Sequence, residues 1–274
     1  MITALANAFR VPELRRKMLF TLLIIGLYRV GSFIPVPGID AETVKTIIQG
    51  TDTLGVLNMF SGGALEQFAV FSLGIMPYIT ATIIMQLLQG VIPKLEAWAK
   101  EGESGQRKIT QWSRYLTLGI ALLQSIALLG LFSRALPTTL TDTQRMITNA
   151  IIVITLIAGT ALIMWMGELI TQRGIGNGMS LLIFTSIVAR FPAAAVQALQ
   201  LGNTGMFVLT LFIFLFVIAA IIFMERGQRR IPVQYAKRVV GRKVYGGSGT
   251  YIPLKVNGAG VIPIIFASAV LFFP

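Results

Sequence analysis

The apolar residues of this 274-residue chain come in long blocks separated by short charged stretches. A bilayer core is crossed by about 20 mostly apolar residues of helix. Candidate spans of that kind lie at about 18–34, 68–92, 115–133, 147–167, 179–199, 206–224 and 258–274. Charged residues make up 12% of the chain, against roughly 25% in soluble domains. The pattern predicts an all-α polytopic membrane protein. The first block is not expected to be a cleaved leader, because its apolar stretch is full length and no small-x-small cleavage site follows it.

The charges fix an orientation. Arg10, Arg15, Arg16 and Lys17 precede the first span, and Lys94, Lys100, Arg107, Lys108 and Arg114 follow the second. Arg173 follows the fourth, and Arg226, Arg229, Arg230, Lys237, Arg238, Arg242, Lys243 and Lys255 follow the sixth. Of the 23 basic residues, only Lys45, Arg134, Arg145 and Arg190 count toward the other alternate set, with Arg29 inside the first span. Lys and Arg are retained on the cytoplasmic side, so the amino terminus and the 225–257 loop are expected inside. The net charge of +12 then faces the cytoplasm, where anionic lipid accounts for part of it. The 225–257 loop carries more than topology requires.

The chain has no Cys and no His. Disulfides, thiol catalysis, His-ligated metals and Ser-His-Asp triads are thereby excluded from it, and no cofactor or metal is expected. Three stretches depart from an ordinary bundle. Asn58-Met-Phe-Ser-Gly-Gly-Ala-Leu65, followed by Gly74-Ile-Met-Pro-Tyr-Ile79, reads either as a short re-entrant segment before a Pro-started helix or as an outer loop before an ordinary one. Lys100-Glu-Gly-Glu-Ser-Gly-Gln-Arg-Lys108 reads as a solvated charged turn. In the 225–257 loop, residues alternate on both sides of Gly246-Gly-Ser-Gly249, which suggests a β-hairpin with its tip there. Its basic residues with interleaved tyrosines suit contact with ribosomal RNA or an acidic protein, or with lipid headgroups.

These stretches resemble the bacterial SecY family, the pore subunits of the general protein-export channel. The motifs Gly31-Ser-Phe-Ile-Pro-Val-Pro-Gly-Ile-Asp40, Asn58 to Leu65, Gly74 to Ile79, Glu101-Gly-Glu-Ser-Gly105, Arg173-Gly-Ile-Gly-Asn-Gly178, Glu225-Arg-Gly-Gln-Arg-Arg230 and Pro253-Leu-Lys-Val-Asn257 occur in that family's order. The family has ten spans, whereas this chain reaches into the seventh and stops at Pro274. It therefore resembles a fragment, expected to insert but not to translocate protein alone.

The resemblance implies a SecY-type helical bundle with a re-entrant plug and a cytoplasmic hairpin loop. Residues 1–17 would be a cytoplasmic segment and 18–199 a first-half bundle of five spans with the plug at about 55–68. Residues 200–274 would begin the second half. The implied pore ring is Ile75, Ile79, Ile183 and Ile265, and an apolar constriction of this kind blocks ions by excluding water. The implied plug residues are Asn58, Phe60, Ser61, Gly62 and Gly63. Thr80, Gln86 and Asn257 match polar positions at a lateral gate, where each interhelical hydrogen bond is worth about 0.6–2 kcal/mol. Implied partner contacts are Arg107, Lys108, Arg229, Arg230, Lys237, Arg238, Arg242 and Lys243. The partners implied are SecE, SecG, the SecA motor ATPase, the ribosome, signal-sequence-bearing nascent chains and anionic lipids, in the bacterial cytoplasmic membrane. A channel rather than an enzyme is implied.

An ion-coupled secondary transporter is the main alternative, but such proteins place Asp or Glu at mid-membrane. Here the acids sit at span ends or in loops, Glu66 and Glu168 lying nearest to membrane depth. Arg29 stands toward the outer end of its span, where it could snorkel. An intramembrane hydrolase lacks a Ser-His, paired-Asp or His-Glu site. The orientation is directly testable. Cysteines at positions 105 and 245 should label only from the cytoplasm and one at 140 only from outside; reversed labelling at any of them overturns the span assignment.

Overall fold

The computed structural model describes residues 11–50, 52–136, 141–200, 204–233, 238–240, 243–245, 250–258 and 260. They fall in two compact units, one up to Ala194 and one from Ala195.

The first unit is helical. Helix α1, Pro12–Gly31, opens on a proline at its first turn, where the missing N–H costs nothing. Helix α2, Ala41–Gln49, is capped by the Asp40 carboxylate, which accepts from the amides of Glu42 and Thr43. Helix α3 spans Asp52–Phe60, and turns fill residues 61–75 before α4, Met76–Val91. Pro93 pushes Ile92 into extended backbone, so α5, Pro93–Lys100, leaves α4 at a 100° bend. Helix α6 spans Glu103–Leu131, and a single 3-10 turn, Ser133–Ala135, follows it. Helix α7, Asp142–Arg173, starts in a capping box of Thr141 with Gln144. Helix α8, Gly178–Gln200, begins where the Asn177 side chain accepts from the amides of Met179 and Ser180.

In the second unit, helix α9, Thr204–Arg226, is apolar and exposed on all sides, the condition of a helix that meets lipid. Strands β1, Gln228–Val233, and β4, Thr250–Lys255, pair antiparallel, as do β2, Arg238–Val240, and β3, Lys243–Tyr245.

Among the described residues, α6, α7, Gly178–Val196 of α8 and Phe207–Arg226 of α9 are long and apolar enough to cross a membrane, and a fifth is reached only if the bent α4–α5 pair counts as one span. Seven spans were expected from the sequence. The seventh lies almost wholly outside the described residues. Helix α1 is 20 residues long, but Arg15, Arg16, Lys17 and Arg29 leave it too little uncharged length.

Two expectations need correcting. The second span does not begin at residue 68, because residues 68–75 are not helical. They pair instead with the stretch after α1. A bridge joins Pro35 to Ala69, the Val36 amide donates to the Phe68 carbonyl at 2.9 Å, and the Val70 amide donates to the Ile34 carbonyl at 2.9 Å. The hairpin tip is also displaced. Residues 246–249 lie outside the described residues, and the strands that flank them, β3 and β4, pair with β2 and β1 rather than with each other.

Two apolar clusters fill the first unit. One gathers Val36, Val44, Leu65, Phe68, Phe132, Ile152 and Leu156. The other gathers Ile24, Tyr28, Phe71, Ile75, Ile163, Ile170 and Leu182. The non-helical stretch 61–75 contributes to both and lies tight on α7: a Cβ added at Gly159 would stand 2.0 Å from the Val70 carbonyl oxygen. Gly105 is equally close to the Trp98 carbonyl, so exposed Glu103 is the better position for a cysteine label on that side. Overpacking a tight site of this kind costs about 1–3 kcal/mol. Gly159→Val should therefore lower the thermal midpoint of the detergent-purified protein, and an unchanged midpoint would show that 61–75 does not rest on α7.

Candidate functional site

The first unit is organised around the segment from Asn58 to Ile75, which leaves α3 and enters α4. Its backbone reverses at Gly62 (φ +68°) and Gly63 (φ +89°), a left-handed conformation that strains any residue with a Cβ. The Gly63 amide donates to the Asn58 carbonyl. The Ser61 hydroxyl donates to that same carbonyl at 3.0 Å and accepts from the Leu65 amide at 3.2 Å. Asn58 is buried, and its side chain donates to the Glu66 carboxylate and accepts from the Glu66 amide, both at 3.1 Å. The Ser72 hydroxyl donates to the Ala64 carbonyl. Asn58, Ser61, Gly62 and Gly63 thus form one interlocked loop, with half-buried Phe60 leading into it.

Helices α1 and α8 hold this loop. Arg29 donates from Nη1 to the Gly62 carbonyl at 3.1 Å while its guanidinium lies over the Phe33 ring. The arginine expected to snorkel instead satisfies a carbonyl that the turn at Gly62 leaves open. A Cβ at Gly62 would stand 3.1 Å from Cα of Ser186 on α8. Ser186 shares a buried hydrogen bond of 2.6 Å with the Tyr28 hydroxyl, and the Tyr28 ring stacks on Phe71 at 5.6 Å between centroids.

Beside the loop, Ile75, Ile79 and Ile183 join one apolar cluster with Phe71 and Leu182. Ile75 is the N-cap of α4 rather than part of its body, and the Ile79 amide donates to the Ile75 carbonyl at 3.1 Å, so the two remain a turn apart. The fourth expected ring residue, Ile265, lies outside the described residues.

The expected gate residues are held within their own units. Thr80 is buried and its hydroxyl donates to the Met76 carbonyl of the same helix, while Gln86 is exposed. The Asn257 amide donates to Glu225 at 2.8 Å and its oxygen accepts from Gly260.

The basic residues are differently engaged. Arg107 pairs with Glu103 at 2.7 Å in full exposure, and Lys108 pairs with Glu101 at 2.9 Å beside the Trp98 ring. Arg229 and Arg230 stand exposed on β1, with Arg230 over Tyr251 at 4.8 Å. Arg238 and Lys243 occupy β2 and β3, and Lys237 and Arg242 lie outside the described residues.

Comparison with known proteins places the chain. The SecY family model matches residues 69–274, three quarters of its length. The chain belongs to the SecY family. It is 51% identical over 289 aligned residues to the protein translocase subunit SecY of Streptomyces scabiei, covering 100% of this chain and 66% of that relative. It is 48% identical to the SecY of Corynebacterium glutamicum, covering 64% of that relative. The chain thus spans just under two thirds of the SecY relatives it matches. Among solved structures it resembles a SecY channel whose plug domain stabilises the closed state, with TM-score 0.66 at 21% identity over 93% of this chain and 56% of that one. It also resembles canine Sec61 in a ribosome-channel complex, with TM-score 0.60 at 19% identity over the same shares. At such identities these likenesses speak for the fold alone.

Within the chain, sequence reading missed two partnerships. Arg114 on α6 grips Glu168 on α7 through both carboxylate oxygens, at 2.7 and 2.6 Å, and Gln111 accepts from its third nitrogen. Glu66 receives Arg190 of α8 at 3.1 Å, with Lys45 at 3.9 Å. A usable signal existed in both cases. Arg114 and Glu168 stand at span ends that the alternation of loops puts on one side of the membrane, and Glu66 and Arg190 are the charges of opposite sign nearest to membrane depth on the other side.

Proposed function

We propose that this chain contributes the first half and the start of the second half of a protein-conducting channel. Such a channel passes secretory proteins across the bacterial cytoplasmic membrane and releases apolar segments sideways into lipid. The observation that carries the reading is the largely buried segment 58–74, non-helical from Ser61 onward, which shares an apolar cluster with Ile75, Ile79 and Ile183. Non-helical backbone at membrane depth is tolerated where it is enclosed by protein or lines a cavity, and a closure that must move gains from being a loop with glycine reversals. Residues at about 55–68 act as the plug, and the isoleucines, with Ile265, narrow the pore. Thr80, Gln86 and Asn257 belong to the lateral gate. The amino terminus is cytoplasmic.

An ion-coupled transporter is disfavoured because the acidic residues nearest the membrane are neutralised. Glu168 is held by Arg114, and Glu66 by Arg190 and Lys45. The names of the relatives support export and nothing supports ion coupling.

In the full-length channel with its partner subunits, Ile79→Gly with Ile183→Gly should wet the constriction and raise the resting ion conductance. Unchanged conductance in that double variant refutes the ring assignment.

SecE, SecG, the SecA motor, the ribosome, nascent chains with signal sequences and anionic lipids are the proposed partners. The basic 225–257 loop, with Arg229 and Arg230 exposed on β1, is their cytoplasmic landing point together with Arg107 and Lys108. Reversing Arg242 and Lys243 to Glu should weaken ribosome or motor docking, and the wild-type interaction should fall steeply with salt. Insertion should survive, since the loop lies outside the membrane. Normal docking by the reversed variant would reduce the loop to a topology signal.

A further inference from the structure

The segment 58–75 is held by charge as well as by packing, and the holding points lie on different elements. Arg29 of α1 binds the Gly62 carbonyl, Lys45 of α2 lies 3.9 Å from Glu66, and Arg190 of α8 donates to Glu66 at 3.1 Å. The three cations, Glu42 and Glu66 border one cavity of about 400 Å³. Glu66 is the point where the interior of the loop meets this frame. The same carboxylate oxygen that accepts the Arg190 hydrogen bond also accepts from Asn58, which returns an acceptor to the Glu66 amide. Pulling Glu66 away from Arg190 therefore disturbs the Asn58 linkage as well.

The two ion pairs are not equal. The Glu66 and Arg190 side chains are 23% and 38% exposed, whereas Lys45 is 57% exposed. An exposed pair at 3.9 Å is largely screened, and a closer, better-shielded pair keeps more of its attraction. Losing the Glu66 charge would also leave Arg29, Lys45 and Arg190 around the cavity with, among the described residues, only Glu42 opposing them. The loop would then lose an attraction while its frame gained a repulsion.

Building on the plug reading above, we propose that Glu66 and Arg190 form a charge latch that fixes the 58–75 segment to α8, with Lys45 as a minor contributor. The latch sets how readily the segment leaves its seat. It can be broken without unpacking either apolar cluster, because neither side chain belongs to one.

A charge-swap cycle in the full-length channel with its partner subunits tests this, read as resting ion conductance in planar bilayers. Glu66→Arg and Arg190→Glu should each raise the conductance at least severalfold, and the double swap should return most of it toward wild type. Glu66→Gln, which keeps an acceptor for Asn58, should give a smaller rise, and Lys45→Ala a change below about twofold. Conductance unaltered by the single reversals, or a double swap that only adds their effects, overturns the latch. Should the reversals fail to accumulate in membranes, Glu66→Gln decides: wild-type conductance in that variant also overturns it. Deletion of residues 58–66 separates this failure from that of the plug reading. If the deletion raises conductance while the charge variants do not, the plug stands and the latch falls. If the deletion leaves conductance unchanged, the plug reading falls and the latch with it.

Discussion

A backbone N–H or C=O without a partner in hydrocarbon costs several kcal/mol, and the first unit of this chain is arranged around meeting that demand in a stretch that is not helical. Residues 61–75 borrow partners from every side. They take backbone bonds from residues 34–36, hydroxyls from Ser61 and Ser72, an amide from Asn58 and a guanidinium from Arg29. The surrounding helices supply close fit. Gly159 admits the Val70 carbonyl against α7, and Gly31 leaves room for the Phe71 ring. Without those donors and gaps the segment would have to become helical or leave the membrane interior.

The helical content of the fold was legible because its spans are long apolar runs, and length and hydropathy alone identify them. What hydropathy could not tell was where an apolar run ceases to be helix. Residues 68–75 are as apolar as the helix that follows them, yet Phe68 and Gly74 both take positive φ and Pro77 starts the helix afresh. The same limit explains the displaced hairpin tip. Glycine-rich 246–249 carries the stronger turn signal by composition, whereas strand pairing is a long-range choice that β1 and β4 make across more than a dozen residues.

At the site, motif resemblance singled out the loop and the isoleucines as candidates, and their shared apolar cluster came only from the three-dimensional arrangement. Ile75 and Ile183 are far apart in sequence and share one apolar cluster with Phe71 and Leu182. Glu66 and Arg190 are likewise distant in sequence, and neither taken singly names the other as its partner. Charge pairing across spans is invisible to hydropathy because it depends on which helices are neighbours. It becomes readable only after the fold has chosen those neighbours.

The bend at Ile92 has a geometric consequence for the membrane itself. If α4 runs across the bilayer, a helix leaving it at 100° must run along the surface. Helix α5 then floats at the boundary, with Trp98 between Lys94 and Lys108 and with Trp112 and Tyr115 beside it on α6. Aromatic rings flanked by lysines prefer the headgroup level. The short helix thus serves as a draught mark: it sets how deep α4 can sink, and with it the height at which Ile75 and Ile79 stand between the two faces of the membrane.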